Sequence, residues 1–267
     1  MIKNDYHTHT RYCDGSNTPE EMVLAAIDKG MEAIGLSGHA YTSFDDGWCM
    51  SREDTKRYIY EIGELKAKYS DRIRIYCGAE WDLYSDGERD GFEYFIGSVH
   101  YALKDPMRTV DESPEAFERL VKECFDGDSY ALAEKYFKDV QGVVAATGAD
   151  IIGHFDLITK FNEDGRFFDT GNERYVNAWK EACDVLIKTG KPFEINTGAI
   201  TRGWRSRPYP AEDMVDYIGS HGGCFILSSD SHSTSSLLYG FDEIEAYLIS
   251  KGYRYTEDIA GLDKSSR

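Results

Sequence analysis

The segment DYHTHTRYCDG, residues 5–15, ends a short apolar run with two histidines, His7 and His9, in alternate positions. Alternate residues of a strand point to the same side, so both imidazoles can reach one ion. Asp14 follows in the next turn, beside Gly15, and its carboxylate is placed to contact a second ion. Two histidines in alternate positions also occur by chance. Whether they indicate a metal site therefore depends on which residues lie at the ends of the other apolar runs.

Five further apolar runs end in a side chain that can bind a metal. The runs AIGLSGH, RIRIYCGAEWD, FEYFIGSVH, DIIGHFD and CFILSSDSH carry, in that order, His39, Glu80, His100, His154 and the pair Asp230 and His232. In a barrel of parallel strands, functional residues lie at the carboxyl ends of the strands and in the loops that follow. The pattern therefore predicts a metal site on one rim of a barrel. His221, in GSHGG, lacks this setting and is interpreted as a loop residue.

Strand-like and helix-like segments alternate along the whole chain. The capping sequence Thr18-Pro19-Glu20-Glu21 predicts a helix that ends near Lys29. Further helices are expected at 52–68, 172–189, 210–220 and 236–250, and strands at 2–8, 33–39, 72–82, 92–100, 150–156, 192–198 and 224–230. About seven β/α units in one domain, residues 1–267, indicate an α/β barrel. A mostly helical insertion is expected at about 105–149, and the tail after Tyr255 is expected to be peripheral.

Composition excludes several classes of partner. The net charge of −18 repels a nucleic-acid backbone, and no apolar stretch approaches the roughly 18 residues that span a bilayer. The first motif begins too early to leave room for a signal peptide, and the six cysteines form no CxxC pair. We therefore expect a cytoplasmic protein with a small-molecule substrate and without nucleic-acid or membrane partners. The sequence does not indicate an oligomeric state.

The candidate donors are too many for one ion. Six histidines, two aspartates and one glutamate are expected at the rim, whereas a catalytic ion takes about three to five ligands including water. Two ions, or more readily three, fit this number, and Glu80 is the candidate bridge because a carboxylate can contact two cations. Mixed nitrogen and oxygen ligands favour zinc, manganese or iron over magnesium or calcium.

The segment NTGAITRGWRSRPYP, residues 196–210, places three arginines after the sixth strand of an otherwise acidic chain. A guanidinium group can pair with two phosphate oxygens, so clustered arginines at the rim predict a phosphate site. Arg202 is the first candidate because it is nearest the strand, and Arg205 and Arg207 follow it equally. Lys160, after HFDLIT, is a weaker candidate for the same role.

These motifs together resemble those of the polymerase and histidinol phosphatase (PHP) superfamily, from residue 5 to about 240. Within it, Asp14, the helical insertion and INTGAITRG are most similar to monofunctional histidinol-phosphate phosphatases. The resemblance implies a distorted (β/α)7 barrel with three metal ions. It assigns His7, His9, Glu80 and Asp230 to the first ion, Glu80, His100 and His154 to the second, and Asp14, His39 and His232 to the third. Many relatives carry a basic residue near the Thr159 position, where the nearest here is Lys160.

The implied reaction is hydrolysis of L-histidinol phosphate to L-histidinol and phosphate, a step of histidine biosynthesis. A hydroxide bridging two ions would attack phosphorus, with Glu80, Asp230 and Arg202 as the catalytic groups. The general acid would be a metal-bound water or a residue such as Asp156. The imidazole ring of the substrate is expected to stack on aromatic residues of the insertion.

Three alternatives stay open at this point. The first is hydrolysis of another small phosphate ester, such as a nucleotide, a sugar phosphate or phosphotyrosine. The second is an amidohydrolase, a class that usually bridges its ions with a carboxylated lysine, where this chain has Glu80. The third is a non-catalytic metal-binding module, which the complete donor set and the expected single domain disfavour.

Overall fold

Ten strands and eight α-helices make up the computed structural model, which describes residues 2–104 and 107–259. The strands are β1 (Asn4–Asp5), β2 (Ala33–Leu36), β3 (Arg74–Asp82), β4 (Tyr94–Ser98), β5 (Tyr101–Lys104), β6 (Met107–Thr109), β7 (Ile151–Ile152), β8 (Phe193–Asn196), β9 (Cys224–Ser228) and β10 (Arg254–Tyr255). The helices are α1 (Pro19–Asp28), α2 (Arg52–Lys68), α3 (Pro114–Cys124), α4 (Ser129–Thr147), α5 (Glu173–Ile187), α6 (Gly198–Thr201), α7 (Glu212–Ser220) and α8 (Phe241–Lys251).

Eight parallel strands form one sheet in the order β1-β2-β3-β4-β7-β8-β9-β10. Past the end of β1, Thr8 forms a parallel bridge with Ser231, which follows β9. The backbone N–H of His9 donates to the carbonyl of Ser231 at 2.8 Å, and that of Ser231 donates to the carbonyl of His7 at 3.2 Å. This bridge joins β1 to β9 at the carboxyl ends of seven strands, so the prediction of a distorted (β/α)7 barrel is confirmed.

The barrel is distorted between the amino ends of β1 and β9. There β10 pairs with the start of β9, Arg254 opposite Cys224. The next residues cross towards β1: the side-chain amide of Asn4 donates to the carbonyl of Glu257 at 2.6 Å, and Tyr6 contacts Asp258. The expectation that the chain after Tyr255 is peripheral is therefore wrong for residues 256–259, which lie against the first strand.

The region between β4 and β7 combines a regular crossover with an addition. α4 packs on β4 and on α5 and connects two neighbouring parallel strands, which is the position of a crossover helix in a β/α unit. The additional elements are the antiparallel pair β5 and β6, and α3. Three aromatic side chains of the two helices, those of Phe117, Tyr136 and Phe137, are core residues and are each 1% exposed. These three rings cannot stack on a substrate, so the expectation is wrong for them, whereas Tyr130 of α4 is half-buried.

Helix signals in the sequence predict the helices closely. α1 begins at Pro19 after a capping box, in which Thr18 and Glu21 satisfy each other's backbone N–H groups. α2 spans Arg52–Lys68, as predicted. Within the described part of the chain, every helix is too short or too polar to cross a lipid bilayer. Because the strands of the sheet are parallel, their carboxyl ends and the loops that follow lie on one rim, where a site is expected.

Candidate metal centre

The two carboxylate oxygens of Glu80 lie at the centre of the converging imidazoles. Glu80 is in the carboxyl-terminal part of β3 and is 2% exposed. Its Oε2 is 2.9 Å from Nδ1 of His39 and 3.2 Å from Nε2 of His7. Its Oε1 is 2.8 Å from Nε2 of His154 and 3.4 Å from Nε2 of His100. One carboxylate thus faces imidazoles from four different strand ends, the geometry of a bridging ligand.

Asp230 closes the side of the centre next to His7 and His9. Its Oδ1 is 3.2 Å from Nε2 of His9 and 3.8 Å from Nε2 of His7. The Asp230 backbone is left-handed, with φ of 48°, a conformation that aspartate tolerates better than most residues. A Cβ on Gly198 would come within 2.7 Å of the Asp230 side chain, so this close approach requires glycine.

A third group of donors surrounds Asp14, in the loop after β1. Oδ2 of Asp14 is 3.0 Å from Nε2 of His232 and 3.6 Å from Nε2 of His39, and its Oδ1 is 3.4 Å from Nδ1 of His9. The Asp14 side chain is 37% exposed and that of His232 is 21% exposed, whereas those of His7 and His9 have no exposed surface. The centre therefore opens to solvent on the side of Asp14 and His232.

The nine side chains converge as the strand ends predict; we call them the candidate donors. In each of three groups of these donors, the ligand atoms all lie within 4.8 Å of one another, as expected of a metal site. Two buried atoms, Nε2 of His7 and Nε2 of His9, have no hydrogen-bond partner among the described residues. Unpaired buried nitrogens surrounded by carboxylates suit divalent cations. The three groups are His9, Asp14, His39 and His232; His7, His9 and Asp230; and His39, Glu80 and His100.

Charge interactions inside the centre are strong and opposed. Burial disfavours a charged His7, but the carboxylates of Glu194, Glu80 and Asp230 raise its pKa well above the ordinary value. Burial and the neighbouring His232 and His39 lower the pKa of His9 to about 3. Buried acids and bases are thus packed closely enough that bound cations could replace protons as the compensating charge.

Two buried carboxylates orient the imidazoles from behind, and sequence reasoning missed both. Oε1 of Glu194, in β8, lies 2.6 Å from Nδ1 of His7, and its Oε2 accepts the backbone N–H of His154 at 2.9 Å. Oδ2 of Asp82 accepts the backbone N–H of His100 at 2.7 Å and lies 3.2 Å from its Nδ1. In the sequence, both could have been found from the two-residue periodicity of a strand. Asp82 follows Glu80 by two residues, and Glu194 lies inside an apolar strand on the same face as Asn196.

Arg202 lies beside the centre. Its Nη2 is 3.0 Å from Oδ2 of Asp230, and its Nη1 is 2.7 Å from Nδ1 of His232. The Arg202 side chain remains 29% exposed, so part of the guanidinium group can reach a ligand. Lys160 lies further out, where its Nζ is 3.2 Å from Oδ2 of Asp111. Desolvation opposes the charge of the half-buried Asp111, but Lys160 and His100 lower its pKa, so the pair lies on the side of His100.

Arg205 is not brought to the candidate donors. Its side chain is 6% exposed, lies over the ring of Tyr209 and donates to Oγ1 of Thr159. Within the described residues, no hydrogen bond or ion pair joins Arg205 to a candidate donor. Together with Asp156, it lines a separate cavity of about 440 Å³ that none of the nine donors lines.

Asp156 and two further residues also lie apart from the donors. Asp156 is fully buried, and its Oδ2 accepts from Thr159 at 3.2 Å and from the backbone N–H of Ala211 at 3.3 Å. Burial also raises its pKa. This position disfavours Asp156 as the general acid. Arg207 is exposed beside Glu212, and His221 stacks on Tyr217 at the end of α7.

Comparisons with known proteins match this chain over most of its length. A family model described as PHP domain matches residues 5–198. The "Probable histidinol-phosphatase" of Deinococcus radiodurans is 29% identical over 251 residues, 89% of each chain.

Two solved structures have the same fold. The hisK structure from Listeria monocytogenes has a TM-score of 0.78 and 24% identity, and covers 90% of this chain and 99% of its own. Histidinol phosphate phosphatase from Lactococcus lactis, solved with zinc, L-histidinol and phosphate, has a TM-score of 0.72 and 21% identity, and covers 98% of this chain and 99% of its own.

Proposed function

This chain belongs to the PHP domain family, and from that premise we propose that it hydrolyses L-histidinol phosphate to L-histidinol and phosphate, a step of histidine biosynthesis. The observation that carries the proposal is the position of Arg202, within hydrogen-bond distance of two candidate donors and still partly exposed. Nine candidate donors beside a partly exposed guanidinium group would suit a phosphate monoester. The relatives named histidinol phosphatase point to the substrate.

The donors fit two or three divalent ions. We assign His7, His9 and Asp230 to the first ion, His100 and His154 to the second, and Glu80 to both. Asp14, His39 and His232 would hold the third. His9 and His39 each lie between two groups, because His9 also approaches Asp14 and His39 also approaches Glu80. Zinc is the first choice for such ligands, followed by manganese and iron.

Bound ions would supply positive charge to the phosphoryl oxygens and make a water molecule acidic enough to react near neutral pH. The residues of the chain prepare the site for this chemistry. Asp230 orients the Arg202 guanidinium group, whose remaining N–H groups would donate to phosphoryl oxygens as negative charge develops. Lys160, held by Asp111, would add a positive charge on the side of His100. The leaving alcohol departs towards solvent on the side of Asp14.

The roles of the individual basic residues differ in this proposal. Arg202 contacts the substrate directly, and Lys160 attracts the phosphate from a greater distance. Arg205 acts indirectly, since it fixes Thr159 in the loop that also carries Lys160. The cytoplasm remains our prediction for the location of the protein.

Hydrolysis of another small phosphate ester is the second candidate, because the donors and Arg202 recognise phosphate and not the alcohol. A phosphate-release assay with metal-loaded protein separates the two candidates. It compares histidinol phosphate with a nucleotide, a sugar phosphate and phosphotyrosine at equal concentrations. We expect histidinol phosphate to be preferred by more than about tenfold in kcat/KM, or about 1.4 kcal/mol. A smaller preference would contradict the assignment of the substrate.

The same assay requires an inactive variant that keeps the fold. Asp230→Asn removes one carboxylate charge without changing the size of the side chain, and it should abolish phosphate release from every substrate. Phosphate release that survives in this variant would identify a contaminating phosphatase in the preparation.

A further inference from the structure

One aromatic side chain lies directly against the candidate metal centre. Trp48 is in the loop between β2 and α2 and is half-buried. Its ring centroid is 4.3 Å from that of His39, at an interplanar angle of 77°, and 5.7 Å from that of His100. The indole therefore flanks two candidate donors while part of its surface remains open to solvent.

The indole is held in one orientation. Its Nε1 donates to the hydroxyl of Tyr101 at 3.0 Å, and that hydroxyl donates to Oδ2 of Asp45 at 2.9 Å. Tyr101 is fully buried and also packs on Phe44 at a centroid distance of 4.9 Å. Because its single polar atom is occupied, Trp48 presents only apolar aromatic surface to a ligand. A fixed ring of this kind loses little conformational entropy on binding.

Trp48 lies on the open side of the centre. His39, which its ring contacts, is 3.6 Å from Asp14, and Asp14 is the most exposed candidate donor. A phosphate ester whose phosphate contacts the donors and Arg202 would extend its alcohol part through this solvent-exposed side. An alcohol on this path would pass beside Trp48, which contacts His39, and the loop adds the negative charges of Asp45 and Asp46.

We propose that Trp48 is the platform for the ring of the leaving alcohol and a determinant of substrate specificity. The inference rests on the proposed function and extends it, since neither the donors nor Arg202 would contact the alcohol part of the substrate. A flat ring packs on an indole face, and a positively charged ring or amine gains further from the aromatic face and from the loop carboxylates. L-Histidinol combines an imidazole ring and an amine and matches this surface in both respects.

The test measures steady-state kinetics with two substrates, histidinol phosphate and 2-aminoethyl phosphate, which keeps the amine but lacks the ring. For Trp48→Ala we expect KM for histidinol phosphate to rise at least tenfold, with kcat/KM for 2-aminoethyl phosphate within twofold of the wild type. Trp48→Phe should recover most of the loss. The matched control is Trp204→Ala, because Trp204 is exposed and packs on Phe161 away from the donors.

The outcomes separate this inference from the proposed function. If the wild type does not prefer histidinol phosphate, the proposed function is wrong and the inference falls with it. If the wild type prefers it and Trp48→Ala keeps that preference, only the inference is overturned. An equal loss on both substrates would also overturn it, since that result means that Trp48 merely supports His39 and His100. Metal content of each variant, measured by mass spectrometry, checks that support directly.

Discussion

Glu194 and His7 form a fully buried carboxylate–imidazole pair, in which Oε1 of Glu194 lies 2.6 Å from Nδ1 of His7. A proton on Nδ1 would be shared with this carboxylate. Because the surrounding carboxylates raise the pKa of His7 well above its ordinary value, a cation bound at Nε2 would replace a proton there. Nε2 has no hydrogen-bond partner within the described residues. The pair therefore fixes both the ring orientation and the tautomer that a metal ligand needs.

Glu194→Gln tests this relationship. The substitution keeps the shape of the side chain and removes its charge, so His7 should become a weaker ligand. We expect metal affinity and kcat/KM to fall by about 10- to 100-fold, as is typical when such a supporting carboxylate is changed. Metal titration of the stripped protein measures the affinity. The exposed Glu243, in α8, provides the control Glu243→Gln, and equal affinities in the two variants would argue against a supporting role for Glu194.

The number of ions that a variant loses distinguishes a bridging ligand, as proposed for Glu80, from a ligand of one ion. Glu80 contacts imidazoles through both oxygens, whereas the His232 ring lies at the exposed edge next to Asp14. We expect the active wild type to hold two or three ions per chain by elemental mass spectrometry. Glu80→Ala should lose at least two of them, and His232→Ala only one.

Chelation provides an independent check of the same centre. Dialysis against a chelator should remove activity, and added zinc or manganese should restore it. Active protein with fewer than two ions per chain would contradict the multinuclear proposal. An equal loss of ions in Glu80→Ala and His232→Ala would remove the argument that Glu80 bridges.

Sequence reasoning predicts the helices and the convergence of the donors but not the lengths of the strands. Predicted strand 2–8 is only Asn4–Asp5 in the structure, and predicted strand 150–156 is only Ile151–Ile152. The apolar runs continue beyond these strands because the residues that follow are buried at the candidate metal centre. These residues are no longer paired in the sheet. Burial and strand pairing give the same sequence signal, so the sequence alone cannot separate them.

The positions of side chains behind and beside the centre depend on tertiary packing that sequence patterns do not encode. Arg205 and Arg202 are three residues apart in one loop, yet only Arg202 contacts candidate donors. Phe117 is buried in the core, whereas Trp48, in a polar loop, lies against the centre. Composition identifies an aromatic-rich segment but does not show which rings remain accessible to a substrate.

Gly198→Ala tests how closely Asp230 is held. A methyl group at this position would lie 2.7 Å from the Cβ of Asp230, and Asp230 is buried in a left-handed conformation. The overlap should displace the carboxylate, cost about 1–3 kcal/mol of stability as overpacking does, and lower kcat/KM at least tenfold. Thermal unfolding and kinetics measure the two effects.

The matched control for this substitution is Gly142→Ala. Gly142 lies inside α4, and an added Cβ there would meet no atom within 4 Å. Because alanine is favoured over glycine in a helix by about 1 kcal/mol, this variant should raise Tm and leave kinetics unchanged. A Gly198→Ala variant with normal kinetics would show that the loop relaxes and that Asp230 tolerates the displacement.

Arg202→Ala tests the proposed phosphate contact. Arg202 is held between Asp230 and His232, and its side chain is 29% exposed. If its remaining N–H groups donate to phosphoryl oxygens as charge develops, their loss should lower kcat/KM for phosphate esters by about 100-fold or more. Arg207→Ala should stay within twofold of the wild type, because Arg207 is exposed beside Glu212. Metal content must be measured in both variants, since Arg202 also contacts two candidate ligands. A 100-fold loss at full metal content would locate the effect in phosphate binding, whereas near-normal kinetics would leave Arg202 as a structural partner of Asp230.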